Sequence, residues 1–384
     1  MIRVPLNPDV LRWACDRSGI AHEKLTAKFG QLPEWEAGAT QPTLKQVEAF
    51  ARAVHVPVGY LFLTKPPVEA VPIPDFRTFA AQEVTRPSPN LLDMIYICQE
   101  RQNWYRDFLR DDHEPEVDFV GSATVDTSPR AVAAEMRQRL GFDLVARRKC
   151  LTWTDALRLF IRQADEAGVL VMVSGVVMSN NHRRLDPAEF RGFALSDPLA
   201  PLIFINGRDT KAAQMFTLAH ELAHVWLGAS ALSNLGVAPR SGFRREEVWC
   251  NKVAAELLVP LAKLQSDLRK DDTLQKALSR LAHDYKVSTL VILRRLLDVG
   301  WIRPDQFDVA WEREVERLEA FIQGGSGGGN FYHTTLARVS NRFARALIVS
   351  TLEGHTLYRD AFRMLGIKKT ETFKNLGREV GVIG

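Results

Sequence analysis

The sequence predicts an α+β protein that is mostly helical and contains one small β-sheet. Three observations support this class. Helical segments, several of them ended by a glycine, occupy most of the 384 residues. Short apolar strands are confined to residues 169–206. The order is helices, then strands, then helices, rather than repeated βαβ units. The 46% hydrophobic and 25% charged residues are typical of a globular protein, and no apolar run is long enough to cross a bilayer.

The cysteines indicate a reducing environment. Cys15, Cys98, Cys150 and Cys250 are widely spaced and form no CxxC pair. This spacing argues against a disulfide framework and against a cysteine zinc site. The first residues, MIRVPLNPDVLRW, lack a basic segment followed by an apolar one, so no secretory signal is expected. We therefore expect the protein in the cytoplasm.

Residues 1–64 predict a module of short helices. The stretches HEKLTAKFG and PTLKQVEAFARAVHV resemble a helix-turn-helix module of the Cro/repressor (XRE) type. Between them, GQLPEW contains a proline and is too short for a helix that reads bases in the major groove. A degenerate module that contacts protein is favoured, and true DNA reading is the alternative.

The rest of the chain divides at composition changes. A proline-rich linker is expected over 65–88, and the segment 89–262 carries the motifs described below. The sequence of residues 263–323 predicts a helical subdomain whose motif spacing resembles that of a helix-turn-helix. A helical hairpin that serves only packing is favoured, and a DNA-binding role is the alternative. A flexible glycine-rich loop at 324–330 precedes a basic, helical C-terminal block at 331–384. A solvated surface is the favoured reading of that positive charge, so DNA binding is an alternative that is not favoured.

The stretch TLAHELAHVW, Thr217 to Trp226, carries the strongest chemical signal. On a helix, His220 and His224 project from one face and can hold one metal ion, while Glu221 lies beside that face. This is the HExxH pattern of zinc hydrolases, in which the glutamate takes a proton from water as general base. We therefore expect Zn²⁺ as cofactor and Glu221 as the catalytic residue.

A catalytic zinc needs a third protein ligand, and the helix REEVWCNKVAAELLVP (245–260) offers three glutamates. One stripe of this helix contains Glu247, Asn251, Ala254 and Leu258. Glu247 is the predicted ligand, and Asn251 is expected to orient the neighbouring groups. Glu246 faces a different side of the helix from Glu247 and is the alternative third ligand. Glu256 lies on the side opposite to Glu247 and is rejected as a ligand.

Substrate contacts are less clearly marked. The strand PLIFINGRD is expected at the edge of the sheet, where a substrate peptide could add as a further strand. Asn206 and Arg208 at its end are candidate substrate-binding residues, although an ordinary strand-end turn is favoured for them. Tyr332 and His333 are candidate oxyanion donors on the chemistry of their side chains alone.

Together, Phe216–His224 and Glu247–Pro260 resemble the ImmA/IrrE family of metallo-endopeptidases. The resemblance implies that 89–262 is a zinc metallopeptidase domain with a gluzincin-like fold that cleaves a specific partner protein. Such a partner would be a helix-turn-helix repressor or a toxin–antitoxin partner encoded nearby, in a regulatory or stress-response system. The alternative is an antitoxin-like regulator that binds DNA or protein without proteolysis and keeps a structural or vestigial zinc site.

Overall fold

The computed structural model describes residues 3–75, 87–233, 245–322 and 331–383. These residues form two compact units, one from 3–72 and 87–93, the other from 73–75 and 94–383. The predicted linker 65–88 lies partly outside the described residues, and the predicted glycine-rich loop 324–330 lies wholly outside them.

The first unit is a group of short helices. They are α1 (Pro8–Ser18), α2 (His22–Lys28), α3 (Leu32–Glu36) and α4 (Leu44–Val54), followed by a 3-10 turn at Val58–Phe62. Local signals set their ends. The Asn7 side chain caps α1, Gly19 ends it with a φ of 64°, and Thr43 with Gln46 forms a capping box on α4. Their apolar faces meet in one core that includes Leu11, Leu25, Trp35 and Phe50.

Helix α3 overlaps the stretch GQLPEW, where the predicted helix-turn-helix resemblance would require a recognition helix. It has five residues, with Pro33 in its first turn. Five residues make little more than one helical turn, which is too short to present a row of side chains to base edges. The degenerate, protein-contacting role of this unit stays a prediction.

The second unit contains most of the helices. They are α5 (Pro89–Asp111, whose first turn belongs to the first unit), α6 (Pro129–Arg139), α7 (Leu144–Arg148), α8 (Trp153–Glu166), α9 (Lys211–Trp226), α10 (Arg245–Leu258), α11 (Leu261–Asp267), α12 (Leu274–Tyr285), α13 (Thr289–Asp298), α14 (Pro304–Ile322), α15 (Phe331–Val339), α16 (Asn341–Leu352), α17 (Tyr358–Leu365) and α18 (Thr370–Glu379). With its small sheet, this unit confirms the predicted α+β class. Among the helices of the described ranges, none has the length and apolar character needed to span a membrane.

The sheet has four strands in the order β1-β3-β2-β4. They are β1 (Leu170–Ser174), β2 (Gly192–Leu195), β3 (Leu202–Asn206) and β4 (Ala231–Ser233). Strand β3 pairs with β1 in parallel and with β2 antiparallel, while β4 pairs antiparallel with β2. The prediction that PLIFINGRD forms an edge is therefore wrong, because this strand has a neighbour on each side. Its five residues are all buried, as expected of a central strand.

Both outer strands of the sheet have neighbours that cover them. Helix α15 packs beside β1. At β4, the backbone N–H of Leu232 donates to the carbonyl of Pro74 over 2.9 Å, and Asp75 forms a bridge with the same residue. Covered edges leave few unpaired backbone groups to join another chain.

Helix α9 is the central helix of the second unit. Thr210 caps its start, and nearly every residue from Gln214 to Trp226 is buried. It packs against β2 and β3 on one side and against α10 on another. A helix that is apolar on most of its faces belongs in a protein interior, and here it carries the HExxH residues.

The C-terminal helices are connected to the rest of the second unit by Arg101 of α5. The Arg101 guanidinium is buried and donates to the carbonyl oxygens of Met364, over 2.8 and 3.1 Å, and of Arg338, over 3.1 Å. A buried guanidinium needs such acceptors, since its charge is far from water. One side chain of α5 thus contacts the ends of both α15 and α17.

Candidate metal centre

His220 and His224 lie one turn apart on α9 and face the same point. Their Nε2 atoms are 3.1 Å apart, and both side chains are fully buried. The spacing of four residues places them on one face of the helix, as the sequence predicts. Two imidazole nitrogens at this distance can serve as two ligands of one metal ion.

Glu247 of α10 completes the group. Its carboxylate oxygens lie 3.3 Å from His220 Nε2 and 3.0 Å from His224 Nε2. Zinc holds nitrogen and oxygen ligands at about 2.0–2.2 Å in a tetrahedron, which places neighbouring ligand atoms about 3.3 Å apart. The three separations match that spacing, so the side chains need little movement to accept the ion.

Asn251, one turn after Glu247, contacts the other nitrogen of His220. Its Oδ1 lies 3.1 Å from His220 Nδ1, which places a proton on Nδ1 and leaves the Nε2 lone pair free for a metal. The same side chain also fixes the plane of the ring. Asn251 therefore lies where the sequence predicts an orienting residue.

The protonation of these ligands suits a cation. Burial alone would raise the pKa of the Glu247 carboxyl, but His220 and His224 outweigh burial and lower that pKa below its ordinary value. Burial lowers the pKa of His224, in opposition to the Glu247 carboxylate. An ionised carboxylate is the state in which Glu247 can bind a metal ion.

Glu221 is the acid that follows His220 directly and lies beside the ligand group. Its side chain is fully buried, and neither carboxylate oxygen has a hydrogen-bond partner of good geometry among the described residues. Burial raises the pKa of Glu221 well above its ordinary value, the Glu247 charge raises it further, and the nearby Ser233 hydroxyl lowers it in part. An orphaned carboxylate beside the His–His–Glu group is costly unless the site supplies a cation or a water.

Gly192 at the start of β2 makes room for that carboxylate, and the sequence analysis missed it. A Cβ at this position would lie 2.6 Å from Thr217 Cγ2, 2.9 Å from the Phe204 carbonyl oxygen and 3.2 Å from Glu221 Oε1. Only a residue without a side chain lets β2 approach α9 this closely. The available signal was a glycine inside an apolar strand, FRGFAL, which often marks a close approach of the backbone.

The remaining acids of α10 lie outside the group of ligand atoms. Glu246 is half-buried and is not part of the cluster that His220, His224 and Glu247 form. Glu256 is buried and pairs with Arg295 of α13, on the far side of α10 as the helix geometry predicts.

Asn206 and Arg208 make local contacts at the end of β3. The Asn206 amide donates to the Phe190 carbonyl over 3.1 Å, and its Oδ1 accepts from the Arg208 N–H over 3.1 Å. The Arg208 guanidinium donates to the Leu185 carbonyl over 3.3 Å. These contacts form a strand-end turn, and a substrate-binding role for the two residues stays a prediction.

The two candidate oxyanion donors belong to α15. The Tyr332 hydroxyl accepts a hydrogen bond from Asn375 of α18 over 2.7 Å. The side chain of His333 lies outside the part of the structure that is described. Their role as oxyanion donors stays a prediction.

A pair of histidines on one helix, a glutamate from a second helix and a buried glutamate beside them are the groups of a metallopeptidase. A family model for M78 peptidases, described as the IrrE N-terminal-like domain, matches residues 164–297. This match contains β1 to β4, both histidines and Glu247, and it supports the resemblance to the ImmA/IrrE family. A second model, described as a domain of unknown function (DUF8813), matches residues 339–379. No curated protein matches the chain.

Proposed function

We propose that this protein is a zinc-dependent endopeptidase. The observation that carries the proposal is the meeting of His220, His224 and Glu247 at one point, with the orphaned carboxylate of Glu221 beside them. Three ligands leave one position open, which distinguishes catalytic zinc sites from closed structural ones. A structural site would have no need of Glu221 as a second buried acid.

Each residue has a part in peptide hydrolysis. His220, His224 and Glu247 would hold the ion, and Asn251 keeps the His220 ring in its orientation. Zinc in such a site acidifies water and polarises a carbonyl group. Glu221 takes the proton from the attacking water as general base and passes it to the leaving amine as general acid. Gly192 keeps the space in which that carboxylate lies.

The proposed substrate is a partner protein in a regulatory or stress-response system. The peptidase itself would have the gluzincin-like fold that the ImmA/IrrE resemblance implies. A helix-turn-helix repressor or a toxin–antitoxin partner encoded nearby is the favoured class. The N-terminal group of short helices supports a protein contact rather than base reading, since α3 has only five residues.

Co-expression with the protein encoded next to it tests the proposal. The arms are the wild type, Glu221→Gln, and Glu246→Gln as a matched loss of one negative charge outside the ligand cluster. We expect the wild type and Glu246→Gln to convert the neighbour to fragments with new termini by mass spectrometry. Glu221→Gln should leave it intact while keeping one equivalent of metal.

Two outcomes of this experiment would contradict the proposed function. Cleavage by Glu221→Gln at the wild-type rate would remove the general base from the mechanism. A stable, uncleaved complex with the wild type and with Glu221→Gln would favour the regulator that acts by binding alone.

A further inference from the structure

The N-terminal unit contains a second group of metal-ligand side chains. Cys15 of α1, His22 of α2 and Glu36 of α3 each offer one ligand atom, and these atoms lie within 4.8 Å of one another. Glu36 is in the centre of the group. Its Oε1 lies 3.5 Å from Cys15 Sγ, and its Oε2 lies 2.9 Å from His22 Nε2.

The surrounding contacts hold these side chains in place. The Arg12 guanidinium donates to the Glu36 backbone carbonyl over 3.1 Å, which fixes the end of α3 against α1. The Thr26 hydroxyl lies 3.4 Å from His22 Nδ1, on the side of the ring opposite to Glu36. As at His220, a partner on Nδ1 leaves Nε2 directed at the shared point.

The burial of the group is graded. Cys15 is 4% exposed, the Glu36 side chain 14% and the His22 side chain 54%. A thiol and a carboxylate therefore form the inner wall, and the imidazole forms the rim. This arrangement gives an ion a path from solvent and leaves its outermost coordination position to water.

We propose that Cys15, His22 and Glu36 bind one divalent cation of the zinc type. Thiolate and imidazole select borderline cations such as Zn²⁺ over Mg²⁺ or Ca²⁺, which prefer oxygen alone. Binding forms a metal–sulfur bond and releases the Cys15 thiol proton to the solvent. The site is separate from the metallopeptidase centre and does not depend on the proposed peptidase activity.

The expected consequence is that one ion connects three helices of a small unit. Helix α2 has seven residues and α3 has five, so neither has much helical stability of its own. Metal bonds from α1, α2 and α3 to one point supply stability that short helices lack. This proposal departs from the expectation that the chain has no cysteine zinc site. That expectation rests on the missing CxxC pair, and a site with a single cysteine needs no such pair.

Cobalt titration of the full chain under reducing conditions tests this site, because a Co²⁺–thiolate bond gives a charge-transfer absorption that histidine and carboxylate ligands do not. We expect the wild type to bind two Co²⁺ per chain, one of which produces the thiolate band. Cys15→Ser should abolish the band and reduce the stoichiometry to one. Cys150→Ser, at a half-buried cysteine outside both ligand groups, should change neither.

A second variant separates this site from the metallopeptidase centre. His220→Ala with His224→Ala should keep the thiolate band and bind one Co²⁺, and added Zn²⁺ should displace that ion. A wild type without the band, or a band that survives Cys15→Ser, would overturn the proposal and leave a hydrogen-bonded Cys–Glu–His group only. The loss of metal at His220 and His224 alone bears on the peptidase and not on this site.

Discussion

The contact between Asn251 and His220 leads to a quantitative prediction about metal affinity. Asn251→Ala removes the 3.1 Å partner of His220 Nδ1 inside a fully buried ring environment. The ring must then bury an unsatisfied N–H, at a cost of about 1–3 kcal/mol, or move its proton to Nε2 and lose the metal bond. Removing such an outer partner weakens metal affinity by about 10–100-fold, or about 1.4–2.8 kcal/mol, in agreement with that cost.

The measurement is a competition titration of the apo protein with Zn²⁺ and a chromophoric chelator at neutral pH. Asn251→Asp keeps an acceptor at the same position, so it should bind zinc at least as tightly as the wild type. Lys252→Ala, the exposed neighbour on α10, should leave Kd unchanged. An unaltered Kd in Asn251→Ala would refute the orienting role, and so would an equal weakening in Lys252→Ala.

Three further predictions concern ligand identity, packing and pH. Glu247→Ala should lose stoichiometric zinc in metal analysis while Glu246→Ala keeps it, and the reverse result would make Glu246 the ligand. Gly192→Ala should lower the free energy of unfolding by about 1–3 kcal/mol in urea titrations, because its Cβ would overlap Thr217 and the neighbouring strand; unchanged stability would contradict the close approach. Burial raises the pKa of Asp165 to about 6, against hydrogen bonds from Ser340 and two backbone N–H groups, so the folded protein holds this proton more tightly than the unfolded chain. Its contribution to stability is therefore largest below the unfolded pKa and falls by about 3 kcal/mol as pH rises through about 6. Asp165→Asn should lack this part of the pH dependence in unfolding curves between pH 4 and 7, and equal pH profiles would refute it.

The parts of the site that depend on local periodicity could be predicted from the sequence. The spacing of His220 and His224 fixes their common face, because a helix repeats every 3.6 residues. The same periodicity separates Glu247 from Glu256, and the structure places these two acids on different sides of α10. A helix fixes the angle between residues that are close in the sequence, so a single sequence is enough to predict which of them share a face.

The features that depend on contacts between distant segments of the chain could not be predicted from the sequence. Whether β3 is an edge or a central strand depends on its pairing with β1, which lies about 30 residues earlier in the chain. The requirement for glycine at position 192 arises from a helix that follows β3. Cys15, His22 and Glu36 come together only because three helices pack around one core, and their spacing has no local signature.

The contacts of Arg101 determine how the chain can be divided for expression. Both of its carbonyl acceptors, on Arg338 and Met364, lie beyond the segment that the M78 family model matches. A fragment that stops before α15 would remove both carbonyl acceptors of the Arg101 guanidinium and would uncover the outer edge of β1. The His220–His224–Glu247 group is therefore best produced and studied with the C-terminal helices attached, and truncation after α14 should yield an unstable, aggregating product.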